Sequence, residues 1–199
     1  MADDVEFKLI AGHVALDFAN TLDNRFDAVR TLELLAGYKD LLRFCEQSGV
    51  ISATEASCLR GLSEREQQAT LRAARELREL IEQIFSAVAH GGNVAREDLS
   101  SFNAFLEKAL QRRQLAAERR TIQWEWKALT MSAMGPLWPI TLAAAELLAS
   151  SDRRFVRECH AETCRWLFLD MSKNHSRRWC DMKVCGNRTK ARRYYRAHV

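Results

Sequence analysis

The chain has 199 residues, of which 47% are hydrophobic and 28% charged, with a formal net charge of +4. That is the make-up of a globular protein with one sizeable core, or with one domain of about 150 residues and a small appendage. No window approaches the ~18–20 apolar residues of a membrane span, and the acidic start MADDVEFKLIAGHV lacks the basic-then-apolar order of a secretory signal, so the expected compartment is the cytoplasm.

From the N-terminus, EFKLI is expected to form a short strand and HVALDFANTLDN a helix, with Val14, Phe18 and Leu22 at helical spacing. Asp17, Asn20, Thr21 and Asn24 then share a polar stripe, with Arg25 just beyond. The stripe is either a solvated face or part of a pocket in which Asn20, Thr21 and Arg25 bind a small polar or aromatic effector. Trp124, Trp126 or Trp138 would close that pocket, although on their own the tryptophans suit a core better. TLELLAGYKDLLRFCEQSG places Leu34, Leu35, Tyr38, Leu41, Leu42 and Cys45 on a second helical stripe, and Gly49 is positioned to end it. Cys45 and a neighbour in the next segment, Cys58, read as small buried apolar side chains.

Ser52 with Glu55, and Ser63 with Glu66, have capping-box spacing. The second box opens a long helix running to Gly91-Gly92, whose stripe of Leu71, Ala74, Leu77, Ile81, Ile84, Phe85 and Val88 faces a bundle core. A further helix covers AREDLSSFNAFLEKALQRR. RTIQWEWKAL alternates and pairs with RQLAAE as a hairpin. Pro136 suits the first turn of a helix through LWPITLAAAELLAS. At Ser150-Ser151-Asp152 the charge changes sign: residues 1–150 carry 17 basic and 21 acidic side chains, residues 151–199 carry 13 and 5. The expected organisation is a mainly α chain. Residues 1–150 form a helical body with a small β element, and residues 151–199 form a small basic module.

That module holds four of the six cysteines. Cys159 and Cys164 enclose four residues, Cys180 and Cys185 enclose four more, and fifteen lie between the pairs. In a reducing compartment, paired cysteines at this spacing point to a structural four-thiolate zinc site rather than to disulfides. A redox pair normally has a two-residue gap, and an iron–sulfur cluster is the minor alternative. His160 and His175 are not needed as ligands. Forty-odd residues with few large aliphatics bury too little surface to fold alone, and a zinc ion supplies ~10–16 kcal/mol in comparable small modules. RWLFLD and SRRWC are expected to pair as strands across the turn MSKNH, in a treble-clef or ribbon-like finger. Beyond Cys185, Gly186 is expected in a left-handed turn and Asn187 as the cap of a basic helix.

These residues carry a resemblance. The two cysteine gaps, Phe168-Leu169-Asp170, Arg177-Arg178-Trp179-Cys180 and the run Cys185-Gly186-Asn187-Arg188, followed by TKARRYYR, resemble the CGNR zinc-finger family over about 155–196. The turn SKNHSRR departs from it, since the family more often has a glycine there. GHVALDFANTLDNR and ELLAGYKDLLRF look like the helical ABATE domain that usually precedes this finger. The resemblance implies a bacterial transcription regulator with a ligand-sensing body and a nucleic-acid-binding finger.

The residues agree with that implication. Arg188, Arg192 and Arg196 share a helix face with Lys190 and Arg193 beside it, and Arg177 and Arg178 stand at the second cysteine pair. Together they suit phosphates or the major groove of duplex DNA, and two copies in a dimer would meet two half-sites. RNA binding is the first alternative, with Trp166, Tyr194 and Tyr195 stacking on unpaired bases. A finger that only docks protein is the second. Some of the arginines are alternatively expected to pair with the acidic body and dock the finger on it, a use that can coexist with nucleic-acid binding. No nucleophile–base pair, carboxylate pair or phosphate loop is visible, so the expectation is not an enzyme.

Overall fold

The computed structural model describes residues 6–118 and 120–198; the side chains of residues 193 and 197 lie outside that description. The architecture is a helical body built round one long helix, with a small β-hairpin and a cysteine-bearing finger packed on it. Residues 6–10 form no strand, contrary to expectation. They run as irregular chain into α1 (Val14–Ala19), which is only six residues long. His13 caps its start, its Nδ1 accepting from the Ala15 amide at 3.3 Å.

α1 ends at Asn20, so the Asp17–Asn24 stripe does not run along one helix. Asp17, Asn20 and Thr21 are all buried, and Asn24 takes a left-handed backbone at φ 48°. The chain then crosses a two-residue ribbon, β1 (Leu22–Asp23) with β2 (Leu32–Glu33). This ribbon occupies residues expected as helix, and α2 starts only at Tyr38 (Tyr38–Gln47), where Asp40 accepts from the Gly37 amide at 2.7 Å. The ribbon sets Glu33 against Arg78. Arg78 is buried and grips Glu33 with two guanidinium bonds of 2.6 and 2.8 Å.

α3 (Ala53–Arg60) and α4 (Glu64–Ala89) begin at the two expected capping boxes, Ser52 with Glu55 and Ser63 with Glu66. The α4 stripe faces inward as its period requires: Ala74, Leu77, Ile81, Ile84 and Phe85 are almost fully buried, packing with Leu16 and Phe18 of α1 and Phe44 of α2 in one core. Cys45 is in that core, and burial pushes its thiol up. Cys58 is exposed, which corrects its assignment as a buried side chain.

α5 (Arg96–Leu110) leads into the expected hairpin, β3 (Arg113–Glu118) paired antiparallel with β4 (Thr121–Trp126). On one face of it Leu115, Ile122 and Trp124 are exposed. Trp126 packs on Trp138 of α6 (Leu137–Ala149) at 6.4 Å between ring centres. No described helix is long and apolar enough to cross a membrane. Past α6 the chain turns through Ser151–Phe155 into β5 (Val156–Glu158), then β6 (Leu167–Leu169), and ends in α7 (Asn187–His198).

Candidate metal centre

The finger's first pair of cysteines sits on a hairpin other than the one expected. β6 pairs antiparallel with β5, Val156 opposite Leu169 and Glu158 opposite Leu167, while residues 176–179 form no strand. Cys159 follows β5 directly and its amide donates to the Trp166 carbonyl at 2.8 Å. A tight turn returns through Cys164, whose amide donates to the Ala161 carbonyl at 2.9 Å. Arg165 leaves that turn in the left-handed region at φ 53°, strained for a side chain with a Cβ. It is held there by a 2.6 Å bond from its Nε to Glu158 and by its guanidinium lying 4.0 Å from the Phe26 ring centre.

The second pair depends on Asp170, at the end of β6. Its carboxylate is fully buried and accepts from the Ser172 hydroxyl at 2.6 Å and the amides of Ser172 and Arg177 at 3.1 and 2.9 Å. Burial alone would raise this carboxyl, but those bonds outweigh it and hold it below the usual carboxylate range. Asp170 thereby closes the loop that brings Cys180 back to the first pair, and the His160 amide joins the two halves by donating to the Arg178 carbonyl at 3.0 Å. His175 reaches the left-handed region at φ 45° and stacks on Phe155 at 3.8 Å; its ring is a packing element of the turn, not a ligand.

The helix cap is Asp181, not Asn187. Its carboxylate accepts from Lys183 and Val184 and opens a single π turn, Met182–Gly186, that carries Cys185 and runs on into α7. Gly186 is not left-handed either. A Cβ there would stand 2.5 Å from the sulfur of Met182, an exposed and flexible side chain that would have to turn aside.

The four thiols converge. All four are buried, their sulfurs lie within 4.8 Å of one another, and two of the separations are 3.6 Å (Cys164–Cys180) and 3.7 Å (Cys180–Cys185). A tetrahedral zinc ion with bonds of ~2.3 Å separates its ligands by about 3.8 Å, so the cluster fits one such ion. Hydrogen bonds from Cys164, Cys180 and Cys185 pull the Cys159 thiol well below its ordinary value, and a divalent cation would replace the protons on the others. No histidine or carboxylate joins the cluster among the described residues.

The basic side chains divide by use. Arg177 is turned inward: it lies over the Phe168 ring at 4.6 Å and donates to the carbonyls of Trp179 and Cys180. Arg188 leans on the metal cluster, donating to the Cys185 sulfur at 3.5 Å. Arg178 and Lys190 are exposed, Arg192 is half-buried, and Arg196 makes one long contact of 3.6 Å with Glu162 between two exposed side chains. The Arg193 side chain lies outside the described residues. Trp166 is buried and unavailable for stacking, whereas Tyr194 and Tyr195 are exposed.

Asn20, Thr21 and Arg25 lie together, at the seam between body and finger. The Asn20 side chain pairs with β6 as a strand residue would, accepting from the Leu167 amide at 3.0 Å and donating to its carbonyl at 2.9 Å. Thr21 donates to the Phe18 carbonyl at 2.7 Å, and Arg25 pairs with Glu79. Asn20 and Arg25, but not Thr21, border a recess between Phe26, Glu82 and Trp166 that has about 10 Å3 of free volume, room for about one water. Trp124, Trp126 and Trp138 do not reach it, which corrects their expected role as its lid. Asn20 was visible as a polar residue in the sequence; its partner, 147 residues away, was not.

A family model described as "Putative stress-induced transcription regulator", the ABATE family, matches residues 12–151. A model of the CGNR zinc finger matches residues 155–198, and with the convergent sulfurs it makes the site that of one structural zinc ion. Among curated proteins no sequence matches the chain. The chain thus belongs to the ABATE family and carries a CGNR zinc finger at its C-terminal end.

Proposed function

We propose that this protein regulates transcription by binding duplex DNA through its zinc-held finger. The observation that supports the reading most is α7. It has no acidic residue and is fixed to the metal cluster at its first turn through Cys185, Gly186 and Arg188. Arg178, Lys190, Arg192, Arg193 and Arg196 supply phosphate contacts, while Arg177 and Arg188 stiffen the platform. Four or five phosphate contacts give a slope of log affinity against log salt of roughly −4. Selection of bound sequences from random duplex DNA by the zinc-loaded protein tests the reading: a shared motif supports it. No binding at low salt leaves a finger that serves only protein contacts.

Two parts of the reading concern the body. An effector that engages Asn20, Thr21 and Arg25 must displace Asn20 from Leu167, so its binding would loosen the finger from the body. A thermal-shift screen of small polar and aromatic compounds, repeated on Asn20→Ala, tests this, because a hit that ignores the substitution places the site elsewhere. Two copies acting on two half-sites is the assembly we favour, and a solution mass of one chain would remove it. The exposed tyrosines of α7 favour unpaired RNA as the second ligand to compare, since base stacking needs open aromatic faces.

A further inference from the structure

Three shallow depressions adjoin one another, two at the seam between body and finger and the third within the finger. The first lies between the C-terminal end of α4, with Gly91 and Gly92 just beyond it, and the arginines Arg153, Arg154 and Arg157. The second shares Ala89 and Arg157 with the first and adds His90 and His160. The third shares His160 and Glu162 with the second and ends on Arg192 and Arg196 of α7. Because each shares lining residues with the next, they form one trough from the tip of α4 to the face of the basic helix.

The charge in this trough is unbalanced. Among the described residues, Arg153, Arg154 and Arg157 have no carboxylate partner. Arg153 donates one bond to the Ser150 carbonyl at 2.9 Å, Arg157 donates to the carbonyls of Arg154 and Val156 at 2.7 and 2.9 Å, and Arg154 lies over the Phe155 ring at 4.6 Å. These contacts orient the guanidinium groups and leave each with further donors. The acids that line the trough are already engaged: Glu158 accepts from Arg165 at 2.6 Å and from the Ser86 hydroxyl at 3.2 Å, and Glu162 faces Arg196 at 3.6 Å. A trough with surplus oriented arginines, and with its acids paired internally, suits a chain of phosphates.

We propose that Arg153, Arg154 and Arg157 form a second backbone-binding stretch, so that a nucleic acid engaged by α7 continues across the seam towards the tip of α4. This rests on the nucleic-acid reading above and extends the interface from the finger helix to the junction of both parts. Being made of backbone contacts, it adds affinity without sequence preference.

The test compares the zinc-loaded full chain with the triple variant Arg153→Gln, Arg154→Gln, Arg157→Gln on random duplex DNA over a range of salt. Removing three phosphate contacts makes the salt slope shallower by about 2.7, so between 50 and 200 mM salt the wild type loses roughly 40-fold more affinity than the variant. A triple lysine variant recovers the wild-type slope, because a phosphate contact accepts either cation. An unchanged slope in the glutamine variant, or a lysine variant as weak as it, overturns the proposal. If the wild type binds no duplex DNA at low salt, the function proposed above fails, and elution from immobilised heparin decides the trough separately. Earlier elution of the glutamine variant keeps the trough as a polyanion site, and elution together with wild type removes it.

Discussion

Asn20 shows how one side chain can do the work of a strand. Its amide supplies one acceptor and one donor, the same pair a backbone residue presents to a sheet, and both meet Leu167. Replacing Asn20 by alanine leaves a buried amide and a buried carbonyl of β6 without partners, at about 1–3 kcal/mol for each orphaned group. Urea unfolding of Asn20→Ala should therefore show a loss of roughly 2–6 kcal/mol, whereas a polar residue on a solvated face would cost almost nothing. Asp17 supports the same seam from the other side: it accepts from the Ala11 amide at 2.9 Å, and Ala11 in turn accepts from the Leu169 amide at 2.7 Å. Burial raises the Asp17 carboxyl from 3.8 to about 6, against two backbone bonds that lower it. A carboxyl raised on folding holds its proton more tightly in the folded state, so its contribution is complete below the unfolded value and fades as pH climbs to about 6. Asp17→Asn keeps an acceptor but does not titrate, and its stability should not share the decline of the wild type between pH 4 and pH 7. Parallel stability curves for the two proteins would show that Asp17 is not the group responsible.

Among elements, those that repeat were readable and those that end by a distant contact were not. The α4 stripe and the β3–β4 alternation each recur often enough to declare their period, and the two serine–glutamate boxes mark real helix starts. α1 defied the same reasoning because Leu22 continues the helical spacing although the helix has already stopped at Ala19. What stops it is Asn20 turning to β6. The finger likewise displayed its four ligands in sequence, since cysteine spacing is chemistry. Its strand pairing stayed hidden, because RWLFLD fits either neighbour and only the β5 register, Val156 opposite Leu169, decides. The π turn before α7 was missed as well, and Asp181 is its mark: an acid one residue after Cys180, bonding the amides of Lys183 and Val184. Asp181→Ala should cost about 1 kcal/mol as a lost cap. Because that turn carries Cys185, competition with a chelator should also show zinc affinity lower by about 10-fold or more. A stability loss with unchanged zinc affinity would confine Asp181 to capping.

At the scale of the whole molecule, the charge changes sign at residue 150, yet the two parts are not separate beads on a string. Val156, Leu167, Phe168 and the four cysteines belong to the same buried cluster as Leu16, Phe18 and Ile81 of the body. Asn20 and Ala11 bond β6 directly, and Arg165 covers Phe26. The described ion pairs of the finger's arginines are internal, Arg165 with Glu158 and Arg196 with Glu162, so apolar burial and backbone pairing hold the finger on, not charge. The zinc ion therefore stabilises more than its own loop. Chelation would free the cysteines, loosen β6 and remove packing from α1 at the centre of the body. Thermal unfolding should then show one cooperative transition that moves down as a whole when zinc is removed or when Cys185 is replaced by serine. Had the finger been an independent bead, the same scan would show two transitions, with the body's midpoint indifferent to metal. The shared core predicts that the body senses the metal, and by the same contacts that whatever perturbs the seam at Asn20 is felt at α7.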